Sequence, residues 1–389
     1  MTSLSLILLF MVVAALVSIL AQRLRFPYTV ALVIAGLVAG SLHLFPPIHI
    51  TSEVLLTLVI PPLLFEGGLH VVPTHLRTYS LLIGLLAVVG TTFTALGIGA
   101  AVGAFAHLPM RTALILGAIA AAIDPVSVIA LIRETQLDPR LGAILEGEAV
   151  LNDGVAIVLF SILAGRGEIS FLNSTWQFVW LLGAGAFVGI ALSMAVSYVL
   201  GRVTQPLVEA LWSLILLVSS LIAAERLNAS GVIAVVCAGV VFAGYGKRSL
   251  TGPGWETVRT LWDFIAFLAN SVLFLFIGLK VPGGLLLRHA GMIVVVIVAA
   301  LASRALTVYG FSAISRREER AIPAAWRRVL TWGGLRGGVA IALVLGLAPE
   351  LPGHEVVAAA IFGLVIFTLL VQGLSMSAVM RRLRLSSVA

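Results

Sequence analysis

Long apolar runs and short polar breaks alternate from one end of the chain to the other. A membrane-crossing helix needs about 20 apolar residues. Runs near 4–22, 28–44, 52–70, 78–105, 111–132, 142–165, 175–200, 208–224, 229–245, 261–280, 291–314, 327–347 and 355–379 meet that measure. They predict an all-α polytopic membrane protein with about 13 spans. Two runs are interrupted. "AAIDPVSVIALI" carries Asp124-Pro125 in its fifth span, and "TWGGLRGGVAIALVL" is loosened by glycines in the twelfth.

These breaks suggest an internal symmetry. With spans 1–6 as one half, span 7 as a linker and spans 8–13 as the other half, the breaks fall at matching places. The two halves then run in opposite directions through the bilayer. Interrupted helices at corresponding positions of inverted repeats point to a transport site near the midplane.

Charge orients the spans. With the N-terminus outside, 17 lysines and arginines fall in inside segments and 5 in outside loops, while Arg304 and Arg336 lie within spans. Basic residues gather on the cytoplasmic side of membrane proteins. This places the C-terminal "RRLRLSS" in the cytoplasm and the protein in the cell (inner or plasma) membrane. The first run has Arg23 and Arg25 after it and no basic residue before it. That is the reverse of a cleaved signal peptide, so it reads as a first membrane helix.

Composition agrees. The chain is 60% hydrophobic and 11% charged, where soluble domains carry roughly 25% charged residues. Its mean hydropathy is +1.14. The net charge of +7 comes from short loops, which fits topology rather than nucleic-acid binding. A single cysteine, Cys237, excludes an internal disulfide. The apolar runs reach nearly to both ends, so the expected organisation is one membrane domain over 1–389 with no soluble regulatory domain and no cofactor.

The chemistry lies in "EGEAVLNDGVAIVLF" (146–160). Asp153 sits about 12 residues, or roughly 18 Å, from the preceding loop at the helical rise. Asp124 sits about nine residues, or roughly 13 Å, from the same loop. Both approach the middle of a hydrocarbon core about 30 Å thick. Acids at that depth are costly unless they face protein or a water-filled cavity. The plainer account is a packed polar network with no transport role. Against it, two adjacent spans carry acids at one depth. Burial disfavours the charged carboxylate, so such a group can hold a proton, or lose it and hold a small cation. Hard cations want several oxygens, and Asn152 adds one without adding charge.

Glu148 shares a helix face with Asn152. Arg336 is the only basic residue of "TWGGLRGGVAIALVL", and a lone arginine there needs an acid. The expectation is a structural Glu148–Arg336 ion pair joining the halves. Pro125 removes a backbone donor, and the freed carbonyls can coordinate an ion. The plainer account of Asp124 is a capping acid at a kink. Glu146, nearer the cytoplasmic end, is expected to line the entrance.

These three motifs, with "PPLLFEGGL" (61–69), resemble the sodium/proton exchangers of the NhaP/NHE type, within the monovalent cation:proton antiporters. The resemblance spans nearly the whole chain. It implies an inverted-repeat antiporter fold and a homodimer. Core helices at about 78–165 and 291–379 would move like an elevator against scaffold helices at about 1–70 and 208–280, with a linker helix at about 175–200. It implies that Asp153 binds cation and proton, with Asn152 beside it, that Glu148 and Arg336 match the family's ion pair, and that Asp124 is its broken-helix aspartate. Relatives with Asn-Asp exchange one cation for one proton, so electroneutral 1:1 exchange is expected. The family pattern carries threonine before Asp-Pro and serine after the glutamate, whereas this chain has Ile123 and Ala149. Both changes delete a hydroxyl. The backbone carbonyl of Ile123 is the remaining candidate ligand there. The choice among Na+, Li+ and K+ stays open, with K+/H+ exchange, or transport of another small ion by the same fold, as the alternative.

Other signals count for less. "GAGAFVG" (183–189) lies in a span with no strand before it, so helix packing explains it better than nucleotide binding. "GLVAG" (36–40) reads the same way, with a subunit contact as one place for it. His43, His49, His70, His75, His107, His289 and His354 form no metal-ligand spacing. Glu66 and Asp263 lie within spans. Glu66 is expected to reach water near the inner end, and Asp263 to pair with a nearby base. An intramembrane hydrolase with an Asp124–Asp153 dyad would need carboxylates sharing a proton and a G-x-G-D motif, which the chain lacks. A channel suits the broken, charged helices less well than alternating access does.

Overall fold

The structure is a computed structural model that describes residues 3–24, 27–42, 51–71, 73–106, 108–125, 127–128, 138–165, 171–281, 283–314 and 322–383. His43, His49, His107 and residues 384–389 lie outside these. Among the described residues there are helices and no strands.

The helices follow the apolar runs. They are α1 (Ser3–Leu24), α2 (Tyr28–Ser41), α3 (Ser52–His70), α4 (Thr78–Ala106), α5 (Met110–Ala121), α6 (Pro139–Ala164) and α7 (Phe171–Leu200). Then come α8 (Pro206–Arg226), α9 (Gly231–Ser249), α10 (Gly252–Leu279), α11 (Ala290–Ile314), α12 (Ala324–Trp332), α13 (Gly338–Leu345) and α14 (His354–Arg382). Nine of those described are long and apolar enough to cross a membrane, and three more are shorter apolar helices. The fifth and twelfth runs are broken, as expected. α5 ends at Ala121, just before Asp124-Pro125, and α12 and α13 are separated by Gly333–Gly337.

Starts and stops have local causes. Asp138 caps α6 by accepting from the Arg140 N–H, and Pro139 stands where no helical donor is lost. Thr251 and Ser230 cap α10 and α9 in the same way. Wide, π-type turns interrupt α3 at Leu55–Val59, α4 at Leu85–Gly90, α9 at Phe242–Gly246 and α14 at Thr368–Gly373. Such turns re-aim the side chains that follow them.

Two sets of packing contacts stand out. In one, α4 lies against α5 and α11, α5 against α6, and α11 against α14. In the other, α10 lies against α2 and α8, and α9 against α3, α7 and α8. Gly36 marks a close approach in the second set. A Cβ there would lie 2.2 Å from the Leu275 carbonyl oxygen, so the "GLVAG" stretch seats α2 on α10 of its own chain. Large apolar side chains such as Phe187, Leu207 and Leu306 point outward. That surface suits lipid rather than water.

Candidate functional site

The broken helices meet and satisfy each other's free backbone groups. A helix that stops inside a protein leaves carbonyls without partners. Here Arg336 supplies them: its Nη1 donates to the carbonyls of Ala121 at 2.8 Å and Ala122 at 3.1 Å. In return, the Asp124 N–H donates to the Leu335 carbonyl at 2.8 Å. Thr368, at the wide turn of α14, holds Arg336 from both sides. Its hydroxyl accepts from the Arg336 N–H at 3.1 Å and makes a 3.3 Å contact with the Arg336 carbonyl.

Asp124 stands immediately before the helical residues 125, 127 and 128. Its Oδ2 accepts from the Ser127 N–H at 3.1 Å and also from the Ser127 hydroxyl. This is an N-cap, which satisfies donors at a helix start and suits the positive end of its dipole. Gly337 makes room for the carboxylate. A Cβ on Gly337 would sit 2.5 Å from Asp124 Cγ.

Asn152 ties α6 to the break. Its Oδ1 accepts from the Ile123 N–H at 2.7 Å, and its Nδ2 donates to the Thr91 hydroxyl. One lone pair of the amide oxygen is therefore used to fix the backbone beside Asp124, which leaves one for another partner. The next residue differs sharply. Asp153 is 1% exposed, and neither of its carboxylate oxygens has a hydrogen-bond partner. It lies within electrostatic range of Asp124 and Arg336. A buried carboxylate without donors is among the costlier groups a protein can hold, so it marks a place where an arriving cation or proton gains most.

The ion pair differs from the sequence expectation. Glu148 pairs with Arg304 of α11, not with Arg336. The fork is two-pronged. Arg304 Nη1 meets Glu148 Oε1, and Nη2 donates to Oε2 at 2.9 Å, while Nε donates to the Leu330 carbonyl at 3.0 Å. The physical reason is that the carbonyls freed by the α5 break already occupy Arg336. The planar guanidinium of Arg304 reaches both carboxylate oxygens at once, the geometry arginine favours. The pair still joins the two halves, through α6 and α11.

The structure thus gathers Ile123, Asp124, Asn152, Asp153 and Arg336 at one crossing, with Glu148 anchored nearby. Glu146 is half-buried on α6. Ile123 and Ala149 are buried in one apolar cluster with Leu86 and Ile144, so the two lost hydroxyls are replaced by packing. Sequence reasoning missed Thr91, Ser127, Arg304 and Thr368. Arg304 had a usable signal, because it too is a lone arginine inside an apolar run. Ser127 stands three residues after Asp124, a capping spacing. The threonines carried no signal. Glu66 does not reach water: it is 7% exposed. The base beside Asp263 is His70.

Comparison with known proteins bears on the chain as a whole. Residues 9–382 match the family described as sodium/hydrogen exchanger, transmembrane. The chain is 39% identical over 368 residues to the Na(+)/H(+) antiporter ApNhaP of Aphanothece halophytica, covering 93% of this chain and 70% of that protein. It is 34% identical over 401 residues to the Na(+)/H(+) antiporter NhaH of Halobacillus aidingensis, covering 98% of each. Its fold is similar to that of the sodium proton antiporter MjNhaP1 from Methanocaldococcus jannaschii, with a TM-score of 0.81, 19% identity and 98% of each chain covered. A family match over residues 9–382 and a relative 39% identical over 93% of this chain leave one conclusion: the chain belongs to the sodium/hydrogen exchanger family.

Proposed function

We propose that the protein exchanges Na+ for H+ across the membrane, with Asp153 as the carboxylate for which the two ions compete. The observation that carries this reading is the pair of buried Asp153 oxygens without a hydrogen-bond partner, set beside the crossing of two broken helices. Protonation neutralises the buried carboxylate. Loss of that proton leaves a charge that a desolvated cation can satisfy, provided other oxygens complete its shell. The remaining lone pair of Asn152 Oδ1, the Ile123 carbonyl and the Asp124 carboxylate are the proposed additional oxygens, and Glu146 the entrance. Only one ion can neutralise Asp153 at a time, so each crossing carries one charge in either direction, and exchange is 1:1 and electroneutral.

The movement we propose is an elevator. The set built on α4, α5, α6, α11, α12, α13 and α14 carries the site, and it slides against a scaffold of α1, α2, α3, α8, α9 and α10 with α7 as linker. The division of packing contacts into two sets supports this reading. The scaffold would pair two copies into a homodimer. Thirteen crossings, with the N-terminus outside and the C-terminus in the cytoplasm, complete the proposal.

The test is proton flux in proteoliposomes loaded with a pH-sensitive dye, with Na+, Li+ and K+ added in turn. Na+ should collapse an imposed proton gradient without shifting a membrane-potential dye. A response to K+ alone would replace sodium with potassium as the substrate. No response to any of the three from folded, reconstituted protein would overturn the reading.

A further inference from the structure

One buried amide stands where the two sets of helices meet. Within its own set α10 is held firmly. Tyr28 of α2 meets Ser271 through their hydroxyls and stacks on Phe267 at 5.3 Å, and Trp262 Nε1 donates to the Ser213 hydroxyl of α8 at 2.9 Å. Toward the other set, α10 reaches α13 beside the crossing. There Leu273 seats on Gly338: a Cβ on that glycine would lie 1.9 Å from Leu273 Cδ2. Asn270 stands three residues before Leu273, so the two are neighbours on the surface of α10. Asn270 is 8% exposed, and among the described residues its Oδ1 has no hydrogen-bond partner.

An unpaired amide is a poor choice for a fixed contact. Buried polar groups are nearly always hydrogen-bonded, and leaving one bare disfavours the arrangement that holds it by about tenfold or more. A leucine has the same branching and no such cost. The choice makes sense where a donor arrives at another point of a cycle. The crossing offers donors. α13 begins at Gly338 with no side-chain cap at Gly337, and the first N–H groups of a helix have no partner within it. Asparagine is among the preferred acceptors for such groups. Leu273 and Asn270 are separated by about 4.5 Å along the helix axis, and packed elements can shift past each other by one turn, about 5.4 Å.

We propose that Asn270 is a positioning residue of the transport cycle: its side-chain oxygen accepts from a backbone N–H of residues 337–340 when the site-bearing set stands in its other position. The amide is bare in one position and paired in the other, so it weights the balance between them. Leu273 supplies the apolar seat in the position seen here. The inference rests on the sliding movement proposed above.

The experiment compares Asn270→Leu, Asn270→Ala and Asn270→Ser in proteoliposomes by sodium-driven proton flux, with melting temperatures of the same preparations. Asn270→Leu should melt at or above the parent, because the bare oxygen is gone. Its maximal rate should fall by about tenfold or more, while half-saturating sodium moves by less. Asn270→Ser keeps an acceptor and should transport faster than Asn270→Ala. Parent-like flux in Asn270→Leu overturns the inference. So does equal flux in the serine and alanine variants, a comparison that decides the matter even if the leucine variant fails to fold. Sliding itself is tested by Leu273→Cys with Gly338→Cys in a Cys237→Ser background. Oxidation should stop exchange and reduction restore it. Exchange that persists across the cross-link would sink the sliding movement and this inference with it. Arrest by the cross-link together with parent-like flux in Asn270→Leu would sink this inference alone.

Discussion

Asp153 and Arg304 bear opposite relations to their surroundings. Asp153 is buried with its oxygens unspent, while Arg304 has committed its guanidinium to Glu148 and Leu330. Different outcomes follow for each. Asp153→Asn keeps the shape and removes the titratable charge, so the variant should fold and melt normally, yet show no cation-driven proton flux. Retained flux would remove Asp153 from its role. Arg304→Ala strands a buried carboxylate, and breaking such a pair costs about 3–5 kcal/mol. A large fall in melting temperature or loss of monodisperse protein is expected. Replacing both partners by neutral residues, Glu148→Gln with Arg304→Met, should recover part of that loss, because neither charge is then stranded. If Arg304→Ala melts like the parent, the pair does not hold the halves together.

At the scale of elements, the two broken helices depend on side chains from α4, α6 and α14 to stay broken. Thr91 and Asn152 fix the backbone at Ile123, and Thr368 holds Arg336 against the carbonyls of Ala121 and Ala122. Thr91→Val removes the acceptor from a buried amide, a loss of about 1–3 kcal/mol. It should lower the melting temperature and weaken apparent sodium affinity together. Gly337→Ala tests the crossing from its other side. The added Cβ would press on the Asp124 carboxylate, and overpacking of this kind costs about 1–3 kcal/mol. Transport should fall sharply while the protein still assembles. Wild-type flux from Gly337→Ala would mean that the Asp124–Gly337 approach is not required during turnover.

For the whole molecule, the decisive prediction concerns orientation. Arg202 and Glu350 are both exposed at helix ends. With Cys237 replaced by serine, Arg202→Cys should react with an impermeant thiol reagent only from the cytoplasmic side, and Glu350→Cys only from outside. The reverse pattern would invert the topology drawn from the loop arginines and lysines.

Much of this protein was legible without coordinates, for physical reasons. Apolar runs of bilayer length mark helices because a backbone in hydrocarbon must satisfy its own hydrogen bonds. Asp124-Pro125 and the glycines around Arg336 mark the breaks because proline cannot donate and glycine holds a helix weakly. Asn152-Asp153 stands out because acids are rare at that depth. Partner choice is another matter. Two arginines lay inside apolar runs, and either could have met Glu148. Only the fold decided that Arg336 would serve the orphaned carbonyls of α5 and that Arg304 would take the carboxylate. The same holds for His70 and Asp263, which lie on different helices far apart along the chain. Depth and periodicity are properties of a segment and can be read along it. Which donor meets which acceptor depends on how helices from distant parts of the chain cross, and that was set by tertiary packing alone.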